Sequence, residues 1–128
     1  MKTQRINIPT IILNWSEWYA WKNLELDVRS NQNGVRVTVN PGVYEARHNT
    51  SEERLTIGKA SNLRMRVKQG LVKGKVPHSS GKKIRASEDV TSIVIRWAET
   101  DRQSAVEEEL HKLYANKFGR LPKYTKRT

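Results

Sequence analysis

The chain has 128 residues, with 24 Lys+Arg against 13 Asp+Glu and a formal net charge of +11 at pH 7. That length suits one domain with a core of its own, and the charge points to a polyanionic partner, most simply nucleic acid. With no Cys, disulfides, thiolate metal sites, iron–sulfur clusters and a Cys nucleophile are excluded.

No stretch has the length to span a bilayer. The apolar run at residues 8–13 is broken by Pro9 and Thr10 and is too short for a secretory leader. The expectation is a soluble, cytoplasmic protein with no membrane partner.

After a basic lead-in, residues 14–26 (NWSEWYAWKNLEL) read as a helix. Asn14 caps it and Glu17 completes a capping-box pattern. Trp15, Trp18, Tyr19 and Lys22 recur at i, i+3, i+4 and i+7. Such a stripe either stacks on bases or docks on a core, the commoner fate. Residues 30–34 (SNQNG) form a loop, and residues 35–39 (VRVTV) alternate like a half-buried strand or an extended lead into Pro41. Residues 43–47 (VYEAR) and 54–58 (RLTIG) are two strands joined by a hairpin-type loop, the second ended by Gly58.

Ser61 or Asn62 then caps a helix containing Leu63, Met65, Arg66 and Val67. Residues 69–83 hold Gly70, Gly74 and Gly81 with Lys73, Lys75, Lys82 and Lys83, and read as a basic flexible connector. Residues 91–97 (TSIVIRW) are the strongest strand, rich in β-branched side chains. Thr100, with Gln103 in the capping-box position, opens a last helix that stops before Gly119. Its apolar residues Val106, Leu110, Leu113 and Tyr114 recur at helical spacing, and a basic tail follows. The order predicts an α+β sandwich, a small central antiparallel sheet flanked by helices. Residues 1–40 form an N-terminal extension packed on a unit at 41–128, one globular body overall.

Three local patterns carry chemistry. Gly42-Val43-Tyr44 is followed by Thr56-Ile57-Gly58 and then Lys59, Asn62 and Leu63, with Arg66 eight positions after Gly58. In this order, and with a late helix bearing Glu107, Glu108 and Glu109, the chain resembles the GIY-YIG nuclease family over residues 41–124. Thr56 stands where that family has a second tyrosine. Gly70 stands one turn after Arg66, where the family often has His or Tyr, and His78 is the residue that could replace that function. Residues 78–80 (HSS) are similar to a histidine segment of one branch of the family. Pro122-Lys123-Tyr124-Thr125 looks like its closing segment with asparagine changed to threonine, for which Asn116 is a possible substitute.

The resemblance implies a metal-dependent DNA endonuclease that hydrolyses phosphodiester bonds. Tyr44 would act as general base or position the water, which requires its phenol, ordinarily of pKa near 10, to be pushed toward ionisation. Arg66 would contact the scissile phosphate. One glutamate would hold a single divalent ion, Mg²⁺ or Mn²⁺. Consecutive glutamates point about 100° apart on a helix. With Val106, Leu110 and Leu113 as the apolar face, Glu109 lies at its edge and is the expected ligand; the alternative is a solvated acidic patch. Thr56, Lys59 and His78 are supporting candidates.

Lys59, Arg64, Arg66, Lys68, Lys73, Lys75, Lys82, Lys83 and Arg85 cluster around the second signature, with Lys123, Lys126 and Arg127 at the tail. Phosphate contacts by such groups bind without strong sequence preference and weaken with salt. DNA is the expected partner, without excluding RNA, a protein partner or a second copy of the chain. Two other readings stand beside the nuclease: a nucleic-acid-binding module of the same fold that does not cut, and a basic adaptor whose aromatic helix docks a protein. His48, His78 and His111 lack ligand spacing for zinc. Ser79 and Ser80 have no evident base partner.

Overall fold

The computed structural model describes residues 10–125. Lys126 and Arg127, expected to add to the basic tail, lie outside the described residues. A four-stranded antiparallel sheet carries the fold, in the order β1-β4-β2-β3. Its strands are β1 (Tyr19–Ala20), β2 (Gly42–His48), β3 (Arg54–Ala60) and β4 (Ile93–Glu99). The helices are α1 (Trp21–Glu25), a π-helix (Arg64–Val72), α2 (Ser79–Ser87), a 3-10 turn (Val90–Ser92) and α3 (Gln103–Phe118). This is the small α+β architecture, an antiparallel sheet with helices, that the sequence predicts.

The expected hairpin is present, with Tyr44 opposite Gly58 and Gly42 opposite Ala60. The register shifts between Ala46 and Arg47, and Leu55, the unpaired residue there, joins the core. One face of the sheet packs Tyr44, Ala46, Ile93, Ile95 and Trp97 against Leu63, Val67 and Leu71 of the π-helix segment and Ile84 of α2. On the other face Val43 and Ala98 meet Val106 of α3. Asn62 Oδ1 accepts the Met65 N–H (3.0 Å), the cap predicted for the π-helix. Gly119 ends α3 at φ +76, its N–H donating to Ala115 O at 2.7 Å. At the other end Thr100 Oγ1 accepts the Arg102 N–H (3.1 Å), and no capping box to Gln103 forms.

Three local expectations are corrected. The helix expected over 14–26 exists only as α1. Ser16 instead pairs with β4, its N–H donating to Trp97 O (2.8 Å) and its Oγ accepting the Trp97 N–H (3.0 Å). Trp21 and Leu24, not the predicted stripe, are the fully buried residues of this segment. Tyr19 stacks on Trp97 at 5.2 Å, while Trp15 and Trp18 lie over arginines. Two of the arginines under these rings, Arg54 and Arg96, lock Glu45, a buried carboxylate within 2.7 Å of Arg96 and 3.3 Å of Arg54.

Residues 35–39 form no strand. Their carbonyls are taken by side chains: Lys68 Nζ donates to Val35 O (2.6 Å) and Arg64 Nε to Val37 O (2.7 Å). The connector expected over 69–83 is largely built into the π-helix and α2. Its glycines serve close packing, since a Cβ on Gly81 would meet Leu71 O at 2.8 Å.

The C-terminal segment is tied to β3. Tyr124 N–H donates to Leu55 O (2.8 Å), and Ile57 N–H donates to Thr125 Oγ1 (3.0 Å). Glu88 fastens it by accepting from Tyr124 Oη (2.6 Å), Lys123 Nζ (2.9 Å) and His48 Nε2 (2.8 Å). The Tyr124 hydroxyl, then His48, holds the Glu88 carboxyl down to about 2.

Candidate active site

A cleft of about 560 Å³ opens between the end of β3, the π-helix and α3. Tyr44, Thr56, Lys59 and Arg66 all line it, as do Ser79, Ser80, Glu107, His111 and Thr125. The signature residues of two strands and a helix are therefore brought to one place. Lys59 Nζ donates to Ser104 Oγ (3.1 Å), linking β3 to the first turn of α3.

Tyr44 is 2 % exposed, and its ring lies across Gly58 on the neighbouring strand. A Cβ on Gly58 would fall inside van der Waals contact of Tyr44 Oη and Cζ, and 2.9 Å from Cε1. Gly58 is thus what allows the phenol to reach the cleft. Gly58→Ala is expected to cost about 1–3 kcal/mol by overpacking, measured by urea unfolding; an unchanged midpoint would contradict this placement.

His78 is the partner of that phenol. Its Nε2 lies 2.9 Å from Tyr44 Oη, and its Nδ1 accepts the Gly81 N–H at 2.9 Å as the cap of α2. An Nδ1 that accepts leaves the neutral ring's single proton on Nε2. His78 therefore donates to Tyr44, and the tyrosine's own proton is directed elsewhere. The ring also fills the space above Gly70, where an added Cβ would meet His78 Cδ2 at 3.2 Å. A histidine from the start of α2 thus occupies the room that a side chain at position 70 would need. Burial first, then Arg66 and Arg85, push His78 down to about 4, so it is neutral at pH 7.

Burial pushes the Tyr44 phenol up; the charge and hydrogen bond of Arg66 pull it down, and Glu107 adds to the rise. The carboxylate felt at Tyr44 is thus Glu107. Glu109, the expected metal ligand, is exposed and does not line the cleft. The inner face of α3 runs through Val106, Leu110 and Tyr114, whereas Leu113 is 57 % exposed. That shift in helix phase turns Gln103, Glu107 and His111, at i, i+4 and i+8, toward the cleft. The i, i+4, i+8 repeat of Val106, Leu110 and Tyr114 is the sequence signal for this phase. His111 is committed locally, its Nε2 donating to Ile57 O (3.0 Å).

No family model, no curated protein and no solved structure matches the chain.

Thr56 is 2 % exposed and lies 3.4 Å from Thr125 Oγ1, so the position of the second signature tyrosine helps seat the tail. Asn116 is exposed and outside the cleft. Of the expected nucleic-acid contacts, Lys59 borders the cleft, and Lys82 and Lys83 are exposed on α2. Arg64, Lys68, Lys73 and Lys75 line a different cavity. Arg85 donates to the carbonyls of Gly70 (2.9 Å) and Leu71 (2.6 Å). Among the described residues no helix is long and apolar enough to cross a membrane.

Proposed function

We propose that the protein is a metal-dependent endonuclease of GIY-YIG type that hydrolyses phosphodiester bonds of DNA. One observation carries this reading: Tyr44 of β2, Arg66 of the π-helix and Glu107 of α3 line a single cleft. In the reaction, Tyr44 Oη accepts a proton from water as the water oxygen bonds to phosphorus. The bond to the leaving oxygen breaks, and that oxygen takes a proton from solvent. Arg66 neutralises the charge developing on the phosphate. His78 Nε2–H and Arg66 are two donors to an ionised Tyr44, which offsets part of its burial.

Among the described residues no group of three or more His, Asp and Glu converges to hold a metal. The donor set still suits Mg²⁺, which retains several waters and binds through one or two carboxylates plus substrate phosphate. Glu107 would hold such an ion, and when bound it supplies charge neutralisation at the leaving oxygen.

The test is supercoiled plasmid incubated with Mg²⁺ or Mn²⁺, with and without chelator, beside Tyr44→Phe. Nicking that needs the metal and is lost in Tyr44→Phe is the expected result. Nicking that survives both would overturn it. The burial that holds Tyr44 protonated favours a second reading, a module that holds nucleic acid in this cleft without cutting it. Retarded but uncut DNA is its outcome in the same assay.

A further inference from the structure

We propose that the cavity on the other flank of the π-helix is a second binding site for nucleic-acid backbone phosphate. The proposal rests on the nucleic-acid reading above and adds a second place where the same strand is gripped.

The cavity measures about 280 Å³, and its charged lining is six cations against one carboxylate. The cations are Arg29, Arg36, Arg64, Lys68, Lys73 and Lys75, and the carboxylate is Asp27. Along the π-helix, Arg64 and Lys68 line this cavity while Arg66 between them lines the catalytic cleft. One helix thus supplies cations to two separate recesses.

Arg64 and Lys68 form the fixed wall. Each donates one hydrogen bond to a carbonyl of residues 35–37, and each keeps further donors. The other four are differently placed. Among the described residues, Arg29, Arg36, Lys73 and Lys75 enter no ion pair. The contrast is with Arg54 and Arg96, whose charge is met by Glu45. Burial and then the charge of Lys73 push Lys68 down, with Arg64 and Arg36 acting the same way. An anion in the cavity relieves that repulsion.

Backbone phosphate is favoured over an acidic protein segment. Val28 and Val37 are the only apolar side chains in the lining, so a peptide would find little to bury beside its charge. Guanidinium forks suit phosphate oxygens.

The test uses the full chain carrying Glu107→Gln, so that DNA stays uncut, and a labelled DNA duplex titrated over a range of salt. Lys73→Ala/Lys75→Ala is compared with Lys112→Ala/Lys117→Ala, which removes equal charge from exposed positions of α3 that line neither the cleft nor the cavity. Loss of two phosphate contacts is expected to make the slope of log affinity against log salt shallower by about 2. Affinity should fall on the order of tenfold or more, with little change in the α3 pair. Equal losses in both pairs, or a parental slope in the cavity pair, overturn the proposal while leaving the nuclease reading intact. Failure of the unsubstituted chain to bind any nucleic acid removes both readings. Capture of polyglutamate at the cavity with no binding of duplex would assign it to an acidic protein instead. Matching thermal midpoints separate these outcomes from misfolding.

Discussion

Glu107→Ala is expected to lower metal-dependent plasmid nicking by about 10²–10³-fold, while Glu109→Ala cuts at the parental rate. The two residues are neighbours on α3, yet one borders the cleft and the other faces solvent. Within α3 the described ion pair is Lys112–Glu108 at 3.5 Å, so neither substitution breaks a salt bridge. Thermal midpoints should therefore stay close to the parent, and lost nicking in Glu107→Ala reports chemistry rather than unfolding. Glu107→Asp, which keeps the carboxylate on a shorter stem, should recover part of the rate. If Glu109→Ala is the inactive variant, the cleft has been assigned to the wrong face of α3. If both cut normally, the carboxylate has no part in the reaction.

Stability should rise by about 3 kcal/mol between pH 4 and pH 6.5, and His78→Gln should remove most of that slope. In the unfolded chain the imidazole takes up a proton below about 6.5. In the folded protein it resists until about 4. Between those values the unfolded state holds more protons, so stability increases with pH and is level above pH 6.5. The physical reason is burial first, then the charges of Arg66 and Arg85, and protonation has a local structural consequence as well. A proton on Nδ1 would turn the acceptor for Gly81 N–H into a donor, removing the α2 cap. Urea unfolding at a series of pH values reads the slope directly. Glu88 acts in a lower window, since its stabilising charge is full above about 4.5 and lost as pH falls toward 2. A parental slope between pH 4 and 6.5 in His78→Gln would show that another group carries it.

Much of the scaffold could be read locally because local rules govern it. The hairpin of β2 and β3, the β-branched run of β4 and the glycine stop of α3 each follow from short-range pattern. What failed depended on partners distant in sequence. The aromatic periodicity of residues 14–26 favours a helix, but hydrogen bonds to Trp97 hold Ser16 extended. Gly70 and Gly81 suggest a mobile connector, yet they mark where His78 and Leu71 approach most closely. Residues 35–39 alternate like a strand, but their carbonyls are satisfied by Arg64 and Lys68.

The candidate site divides the same way. Tyr44, Thr56, Lys59 and Arg66 sit in adjoining motifs and line one cleft, so they are legible together. Glu107 depends on the phase of α3: taking Leu113 in place of Tyr114 moves the centre of the apolar face by about 30°, since adjacent residues lie roughly 100° apart, and that is enough to favour Glu109 over Glu107 at its edge. The His78–Tyr44 bond joins residues 34 positions apart; the sequence suggested a role for His78 without naming its partner.

Open sheets are vulnerable at their outermost strands, where unpaired backbone groups can recruit another copy and begin aggregation. Here both margins are shielded by the chain's own terminal regions. On the β4 side the margin is β1, only two residues long, with Ser16 continuing the cover. On the β3 side Tyr124 and Thr125 occupy Leu55 O and Ile57 N–H. The same two residues are joined to the cleft, Thr125 as part of its wall and Tyr124 through Ser80 Oγ, which donates to its carbonyl at 2.7 Å. Trimming the chain before residue 124 would therefore expose a self-associating strand and breach the cleft together, so colloidal behaviour and activity should decline in step.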